Sequence, residues 1–387
     1  MTLGAILALL SLLPLPSWAG SVTPEMDKHV MAGIDAIYEM RFDEAEASAR
    51  KVIALAPEHP YGYFGLAAVG MTRYVYQTDQ TDQSLYKPFE AAIEQSIASC
   101  NKWLKKHPGD ADVLFVLGAS YGVSGRIMAV RHDWIKAYLR GRKAMHFTRE
   151  ALKADPKNYD SYLGIGMYDY YTDVYPRVVG VLAKLVLRGS RERGIKELKI
   201  AAEKGHFAQI AAKLILVEIY TEDAFGARDP EQALMYARQV RAKYPDSAML
   251  HAAELIPMYV GKQYEAVAAG AEEYMKRVAK GEYPALDAAK GWVIKGTALW
   301  ALGQKEKALE AIRAGTDIRL GKQLCRWSVW ALIRCGQLQD LLGKRDEALK
   351  DYKKAAAEVD YWDLKRLAKA GIAKPWTSEF PGPVPAY

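Results

Sequence analysis

The chain has 387 residues and a formal net charge of +7. This length fits two or three globular domains or one elongated array, and a basic excess of this size is only weak support for an acidic partner. Beyond the N-terminus there is no long apolar stretch, which excludes a further membrane-spanning helix and predicts a soluble mature protein.

The N-terminus has the layout of a secretory signal peptide. Residues 3–13 are apolar apart from Ser11, and Pro14 breaks the run at about half the length that a membrane-spanning helix needs. Ser17 and Ala19 then provide small residues at the two positions that a signal peptidase reads. No Lys or Arg precedes the apolar run, so a buried N-terminal helix is the alternative. We predict a signal peptide over 1–19 and a periplasmic or secreted protein of a Gram-negative envelope.

Four later segments share one helical stripe of small and apolar residues. The stripes, with offsets of four and seven, are Ala45/Ala49/Val52, Ala233/Ala237/Val240, Ala308/Ile312/Gly315 and Ala348/Tyr352/Ala355. Such offsets lie on one face of an α-helix, and small residues there let a neighbouring helix approach closely. Prolines that stop a helix and start a turn follow several segments of this kind, at Pro57, Pro108, Pro156 and Pro245.

Matching first helices precede these second helices. Residues 117–121 read LGASY, residues 216–220 read LVEIY and residues 292–299 read WVIKGTAL. They resemble the W-x2-L-G-x2-Y, A-x3-F, P pattern of the tetratricopeptide repeat (TPR) family. The resemblance covers nearly the whole mature chain, which is also similar to exported bacterial TPR proteins with expanded central repeats.

The resemblance implies an all-α fold: a right-handed TPR-type α-solenoid of about eight helix pairs over 20–360, whose stacked pairs share one core. We expect the second helices to end near residues 57, 108, 156, 205, 245, 279, 318 and 359. Insertions around 73–88, 125–140 and 172–190 expand repeats two to four. The C-terminal segment 361–387 ends in a tail with four prolines in its last thirteen residues, predicted to be extended or disordered.

The sequence offers little catalytic or metal-binding chemistry. Residues 118–122 match the G-x-S-x-G nucleophile elbow at Ser120, but that elbow needs a strand–turn–helix and a later histidine, and no histidine follows His251. The seven histidines form no zinc motif, and no Walker sequence or nucleic-acid module is recognisable. We predict no enzyme, metal, cofactor or nucleic acid, with a hydrolase at Ser120 as a remote alternative. The three cysteines are predicted to be buried free thiols.

Aromatic residues stand near the ends of the predicted first helices, at Tyr121, Tyr170, Tyr220, Tyr259 and Trp300. The TPR pattern has a packing tyrosine at this point, and Tyr121, Tyr220 and Tyr259 fall on it. Tyr170 and Trp300 fall one residue later, which rotates them by about 100° toward the groove. In TPR proteins the first helices line the concave face. We therefore expect Tyr170 and Trp300 to face the groove, with packing as the alternative.

The charge also changes sign along the sequence around Tyr170. Residues 126–157 carry nine basic and three acidic residues, residues 177–204 carry eight and three, and 158–176 between them carry three aspartates and no basic residue. From Arg177, residues 177–188 form an amphipathic pattern, predicted to pack on neighbouring repeats, cover the groove or dock a partner; membrane-surface contact is a minor alternative. The predicted binding residues are Asp169, Tyr170, Tyr171, Asp173, Arg177 and Trp300.

These features predict an exported TPR scaffold that binds a protein or peptide partner in the cell envelope, without catalysis. The alternative is a carrier or sensor that encloses a small molecule or lipid in the expanded middle repeats. A continuous groove of even width favours the scaffold, whereas a closed, mostly apolar pocket near residues 120–190 favours the carrier. The oligomeric state is left open.

Overall fold

The computed structural model describes residues 20–131, 133–174, 189–221, 227–359 and 363–381, without the side chains of Val130 and Trp134. The described residues form seventeen α-helices and one two-stranded hairpin, in which β1 (Arg319–Leu320) pairs antiparallel with β2 (Gln323–Leu324). The predicted signal peptide, residues 1–19, and the predicted helix 177–188 lie outside the described residues. None of the described helices is both long and apolar enough to cross a membrane.

Sixteen of the helices form eight consecutive pairs, and each pair packs on the next. The pairs are α1 (Pro24–Tyr38) with α2 (Phe42–Leu55), α3 (Tyr61–Thr72) with α4 (Tyr86–Lys106), α5 (Ala111–Val130) with α6 (Trp134–Ala154), α7 (Ser161–Val174) with α8 (Arg191–Lys204), α9 (Gln209–Thr221) with α10 (Pro230–Lys243), α11 (Ala248–Val260) with α12 (Tyr264–Ala279), α13 (Asp287–Ala301) with α14 (Lys305–Ala314), and α15 (Arg326–Leu341) with α16 (Arg345–Ala357). A last helix, α17 (Leu364–Ala373), packs on α15 and α16.

The predicted all-α solenoid of helix pairs is confirmed. The observed second helices end within four residues of the predicted ends, at Leu55, Lys106, Ala154, Lys204, Lys243, Ala279, Ala314 and Ala357. The starts of six helices are fixed by a residue whose side chain accepts a backbone N–H of the first turn, as helix N-caps do. These caps are Thr23, Asp110, Asp133, Ser190, Asp229 and Ser247.

The three predicted insertions differ in the structure. The first is present: a π-helical turn (Arg73–Gln77) and a 3-10 turn (Gln83–Leu85) connect α3 to α4. The second, over 125–140, is present in helical form, because its residues lengthen α5 and α6 to 20 and 21 residues. Most of the third, 175–188, lies outside the described residues.

Glycines let α7 and α8 meet at backbone distance. A Cβ on Gly194 would lie 2.7 Å from both the carbonyl oxygen of Gly166 and the amide nitrogen of Tyr170. Real Cβ atoms do not approach backbone this closely, so the helix crossing needs glycine at this position. The close crossing draws the C-terminal half of α7 into the core between α8 and α9.

The first repeat packs against the fifth and sixth repeats, more than two hundred residues away. Asp35 of α1 accepts hydrogen bonds from the Tyr244 hydroxyl at 2.6 Å and from Lys243 Nζ at 3.0 Å. The Tyr38 and Tyr244 rings lie 5.6 Å apart, and Met40 contacts Met249. The solenoid therefore turns back on itself, and the first repeat covers part of its inner face.

A buried charge cluster fixes the α3–α4 connection to the seventh and eighth repeats. Asp79 pairs with Lys290 Nζ at 3.3 Å and with Arg326 Nη2 at 3.2 Å, and Lys290 pairs with Asp287 at 2.8 Å. All four side chains are nearly inaccessible to solvent. Burial disfavours the ammonium form of Lys290, but the two carboxylates outweigh it and raise the pKa of Lys290. Asp79 and the following Gln80 both have positive φ angles, so the charge pairs hold this connection in a strained conformation.

Candidate functional site

The structure places Tyr170 in the core. Its side chain is 0% exposed and packs with Val174, Leu198 and Leu216. The prediction that Tyr170 faces an open groove is therefore wrong. A rotation of 100° moves a residue to the surface only if the helix is covered on a single face. Helix α7 is covered by α8 and also contacts α6 and α9, so the rotated position is buried as well.

The acidic residues of this region form internal ion pairs. Asp169 is 1% exposed and accepts a hydrogen bond from Arg193 of α8. Asp173 accepts the backbone N–H of Arg191 at 3.2 Å and its Nε at 3.0 Å, at the start of α8. Arg191 and Arg193 thus neutralise Asp173 and Asp169 within the fold. At these residues, the change in the sign of charge along the sequence reflects the packing of α7 on α8.

Tyr171 belongs to a second internal network. Its hydroxyl donates to Glu218 of α9 at 2.6 Å, and Glu218 also pairs with Arg126 of α5 at 2.5 Å. Arg177 lies outside the described residues. Trp300 belongs to a different hydrophobic cluster from Tyr170, so the structure does not bring the six predicted residues together into one site.

Next to Asp169 lies a carboxyl pair that the sequence did not indicate. Burial, and after it the charge of the neighbouring Asp169, raise the pKa of Glu197 to about 7. The side chain of Glu197 is 15% exposed and lies 4.0 Å from Arg193. Two neighbouring carboxyl groups ionise together only at a cost, so Glu197 keeps its proton to a higher pH than an isolated glutamate does.

A cleft between α6 and α7 bears on the carrier alternative. It has a volume of about 450 Å³ and is lined by Arg142, Met145, His146, Arg149, Glu150, Lys153, Tyr168 and Asp169. It is open to solvent, and six of its eight lining residues carry ionisable charged or imidazole groups. A lipid or apolar ligand needs a mostly apolar enclosure, which this cleft does not provide.

Ser120 is the residue that would act as the nucleophile in the remote hydrolase alternative. It lies within α5, is 0% exposed, donates to the Val116 carbonyl at 2.8 Å and contacts the Ser96 hydroxyl at 2.9 Å. A nucleophile elbow requires a strand–turn–helix that exposes the hydroxyl. The hydrolase interpretation of Ser120 is therefore wrong.

Among the described residues, no three His, Cys, Asp or Glu side chains lie together as metal ligands would. The three cysteines are buried as predicted, and burial raises the pKa of Cys100 and of Cys335 to about 12.

A groove with an occupant lies at the C-terminal end. Tyr259, Trp300 and Asp340 are each the penultimate residue of a first helix, in three successive repeats. Residues 376–381, here called the tail segment, cross all three. The Trp376 N–H donates to Asp340 Oδ2 at 2.8 Å, Trp300 Nε1–H donates to the Glu379 carbonyl at 2.9 Å, and the Tyr259 hydroxyl donates a longer bond of 3.4 Å to the Pro381 carbonyl.

These three hydrogen bonds all reach backbone groups of the tail segment. An extended chain advances by about 3.3 Å per residue, so the three residues from Trp376 to Glu379 would span about 10 Å, close to the spacing of packed helices. The two residues from Glu379 to Pro381 would span about 7 Å. Backbone groups are common to all sequences, so this row of side chains can hold an extended peptide of many sequences. The row also sets a direction, because the tail segment runs from the eighth repeat back to the sixth.

Asp340 makes the most hydrogen bonds of these three side chains. Its side chain is inaccessible to solvent, and it accepts Arg345 Nη1 through both oxygens, at 2.9 and 3.1 Å. Oδ2 also accepts the Tyr352 hydroxyl at 3.0 Å. A carboxylate held by several donors keeps one orientation, so Asp340 presents a fixed acceptor to the backbone N–H of Trp376.

Side chains of the tail segment make further contacts. Glu379 pairs with Lys305 of α14, and the Phe380 ring lies 6.0 Å from the Tyr264 ring of α12. Pro381 is buried, and Trp376 packs against the hydrophobic cluster that contains Trp300. We call Tyr259, Tyr264, Trp300, Lys305, Arg334 and Asp340 the C-terminal groove.

Arg334 makes the floor of the C-terminal groove positive. It is 2% exposed, stacks on the rings of Trp300 at 5.7 Å and Trp330 at 4.8 Å, and donates to Gln337 at 3.0 Å. Burial lowers the pKa of Arg334 to about 10, so the guanidinium stays charged at neutral pH. A buried cation favours carbonyl oxygens and carboxylates nearby.

Trp300 was predicted to face an open groove. Its indole contacts the tail segment, but it is 1% exposed because Arg334 and the tail segment cover it. The prediction that Trp300 is open to a partner is therefore wrong in this structure. The described part of the tail, 374–381, contacts Trp300 and Asp340, whereas the sequence predicted a tail that is extended or disordered.

Residues 289–320 match the tetratricopeptide repeat family. They cover α13 from its third residue, α14 and the first strand, and the described chain has eight helix pairs of this kind. The match to one repeat, together with the eight helix pairs, supports a tetratricopeptide-repeat (TPR) protein. No curated protein matches the sequence of this TPR protein.

Solved structures of other TPR-type proteins are similar to it at low identity. Yeast Tom70 aligns with 12% identity and a TM-score of 0.43, over 87% of this chain and 86% of Tom70. A TPR protein from Parabacteroides merdae aligns with 13% identity and a TM-score of 0.36, over 80% of this chain and 100% of the other. The human IFIT1 dimer with m7Gppp-AAAA aligns with 13% identity and a TM-score of 0.48, over 90% and 84%. Likenesses at this level carry no argument about what this TPR protein binds.

Proposed function

We propose that this TPR protein is a scaffold that binds an extended segment of a protein partner in its C-terminal groove. The observation that carries the proposal is the row formed by Tyr259, Trp300 and Asp340, which binds backbone groups of the tail segment across three repeats. Hydrogen bonds to the backbone hold a peptide in register, and adjacent side-chain contacts add selectivity. Protein interaction is the role for which TPR solenoids are generally suited.

The binding proposal is tested on the full chain with its tail weakened. The substitutions Glu379→Lys, Phe380→Ser and Pro381→Ser together remove the side-chain contacts of the last three residues of the tail segment and leave that of Trp376; we call this the released-tail variant. A labelled synthetic peptide of residues 374–387 (KPWTSEFPGPVPAY) is added in trans, and its fluorescence anisotropy is measured. We expect saturable binding, and weaker binding of a scrambled peptide.

The role of Trp300 is checked by a matched pair of tryptophan substitutions. Trp300→Phe in the released-tail variant removes one hydrogen bond and should weaken the peptide by about threefold to tenfold. Trp327→Phe is the control, because Trp327 is also buried but its indole N–H has no hydrogen-bond partner among the described residues. Equal affinities in the two variants, or no binding of the peptide to the released-tail variant, would overturn the proposal.

We further propose that the scaffold works in the cell envelope after removal of residues 1–19. The support is the short apolar run that ends in Ser17-Trp18-Ala19. The intact mass of the protein from its native host should correspond to a chain that begins at Gly20. A chain that retains Met1, whether soluble or held in the membrane, would contradict the proposal.

A further inference from the structure

The tail segment contacts the groove through groups of different chemistry in a fixed order. From the eighth repeat to the sixth, these are the backbone N–H of Trp376 on Asp340, the Glu379 carboxylate on Lys305, the Phe380 ring beside Tyr264 and a buried Pro381. The first three each have a counterpart of the appropriate charge or shape.

The charges of the groove define which peptide fits. Asp340 accepts a backbone N–H at one end and would repel an acidic side chain there. Lys305 and Arg334 lie toward the middle and favour an acidic side chain at that point. Tyr264 and Tyr259 form an aromatic corner, with ring centroids 5.3 Å apart, which suits an aromatic ring followed by proline.

The same contacts are individually weak. Glu379 is 74% exposed in its pair with Lys305, and Phe380 is 51% exposed. Exposed ion pairs contribute little to binding, and the Tyr259 bond to the Pro381 carbonyl is long at 3.4 Å. A segment held in this way is tethered at Asp340 and readily displaced beyond it.

From this geometry we infer that the C-terminal groove selects an extended partner segment with an acidic residue, an aromatic residue and a proline in that order, and that the tail segment is a built-in competitor for it. The inference rests on the proposed peptide-binding function and specifies its ligand. A tethered competitor acts at an effective concentration in the millimolar range. A partner segment must therefore outcompete the tail, which sets a threshold for binding and restricts the groove to good matches.

The competition is tested by comparing the full wild-type chain with the released-tail variant. The probe is the labelled peptide KPWTSEFPGPVPAY, whose sequence is that of residues 374–387. We expect it to bind the released-tail variant at least tenfold more tightly than the wild-type chain. A control variant, Lys374→Ala, changes an exposed residue just before the tail segment that contacts no groove residue among those described, and should bind as the wild type does. Equal affinity of wild type and released-tail variant would overturn the competitor role.

The selectivity is tested with altered peptides on the released-tail variant. Replacing the glutamate by lysine should weaken binding by about tenfold, and exchanging the order of the phenylalanine and proline should do the same, whereas replacing the threonine by serine should change little. A Lys305→Glu variant should prefer the lysine peptide over the glutamate peptide. If the parent peptide binds but all altered peptides bind equally, the inferred selectivity is wrong and the peptide-binding function stands. If no peptide binds, the function itself fails.

Discussion

The buried charge cluster that joins the α3–α4 connection to the C-terminal repeats leads to a quantitative prediction. Asp79, Asp287, Lys290 and Arg326 are all less than a tenth exposed and together carry no net charge. Replacing Asp79 by Ala leaves two cations facing one carboxylate in a desolvated site. Removing one partner of a buried ion pair costs about 3–5 kcal/mol, so we expect Asp79→Ala to lower the free energy of unfolding by this amount.

The backbone at Asp79 adds a second expectation. Its φ angle is +46°, a conformation that Asn tolerates better than Ala does. Asp79→Asn keeps this tolerance and one acceptor oxygen and loses the charge, so it should cost less than Asp79→Ala, about 2–3 kcal/mol. Asp79→Asn with Lys290→Met restores neutrality, and the double variant should be less destabilised than the sum of the single variants by about 1 kcal/mol or more.

Urea denaturation followed by circular dichroism measures these differences. The matched control is Asp43→Asn, because Asp43 pairs with Arg73 at 2.5 Å but is 97% exposed, and such exposed pairs contribute little. If Asp79→Ala unfolds at the same urea concentration as Asp43→Asn, the charge cluster does not stabilise the contact between the α3–α4 connection and the C-terminal repeats. Additive effects of Asp79→Asn and Lys290→Met would contradict the proposed charge coupling.

Two further predictions concern the α7–α8 region. Tyr170→Ala should lower the free energy of unfolding by about 3–5 kcal/mol, as truncation of a fully buried aromatic does. An unchanged urea midpoint would contradict the buried position of Tyr170. For Glu197, the folded-state pKa of about 7 lies above the unfolded value of 4.5, so the stability that it contributes is present below pH 4.5 and is lost as pH rises through 7. Glu197→Gln does not titrate, so its stability relative to wild type should rise by about 2–3 kcal/mol between pH 4.5 and 8, and a constant difference would show that Glu197 ionises normally.

The fold was largely predictable because its signals are local. Small residues at offsets of four and seven, such as Ala308, Ile312 and Gly315, mark the second helices, and prolines mark their ends. Stacking of neighbouring pairs follows from these signals alone, since each pair needs its neighbours to cover its apolar face. The insertion over 125–140 was predictable in place but not in form, because extra helical turns and an inserted loop differ little in sequence.

The sites were not predictable in the same way because they depend on contacts between distant parts of the chain. Asp79 and Arg326 are 247 residues apart, and Trp300 and Glu379 are 79 apart; no periodicity encodes such pairs. One local signal was available, since Asp287 and Lys290 stand three residues apart in an otherwise apolar helix start. Tyr170 was predicted to face the groove from its rotation on the helix. The Gly166–Gly194 crossing buries it instead, and this crossing appears only when α7 and α8 are assembled.

The most direct test of the peptide groove is the hydrogen exchange of the Trp300 indole N–H, followed by nitrogen-15 NMR. The resonance is assigned by its loss in Trp300→Phe. In the full wild-type chain the bond to the Glu379 carbonyl predicts slow exchange with solvent. In the released-tail variant the exchange should become faster, and adding the peptide KPWTSEFPGPVPAY should slow it again. An indole N–H that exchanges at the same rate in both chains, with or without peptide, would contradict the account.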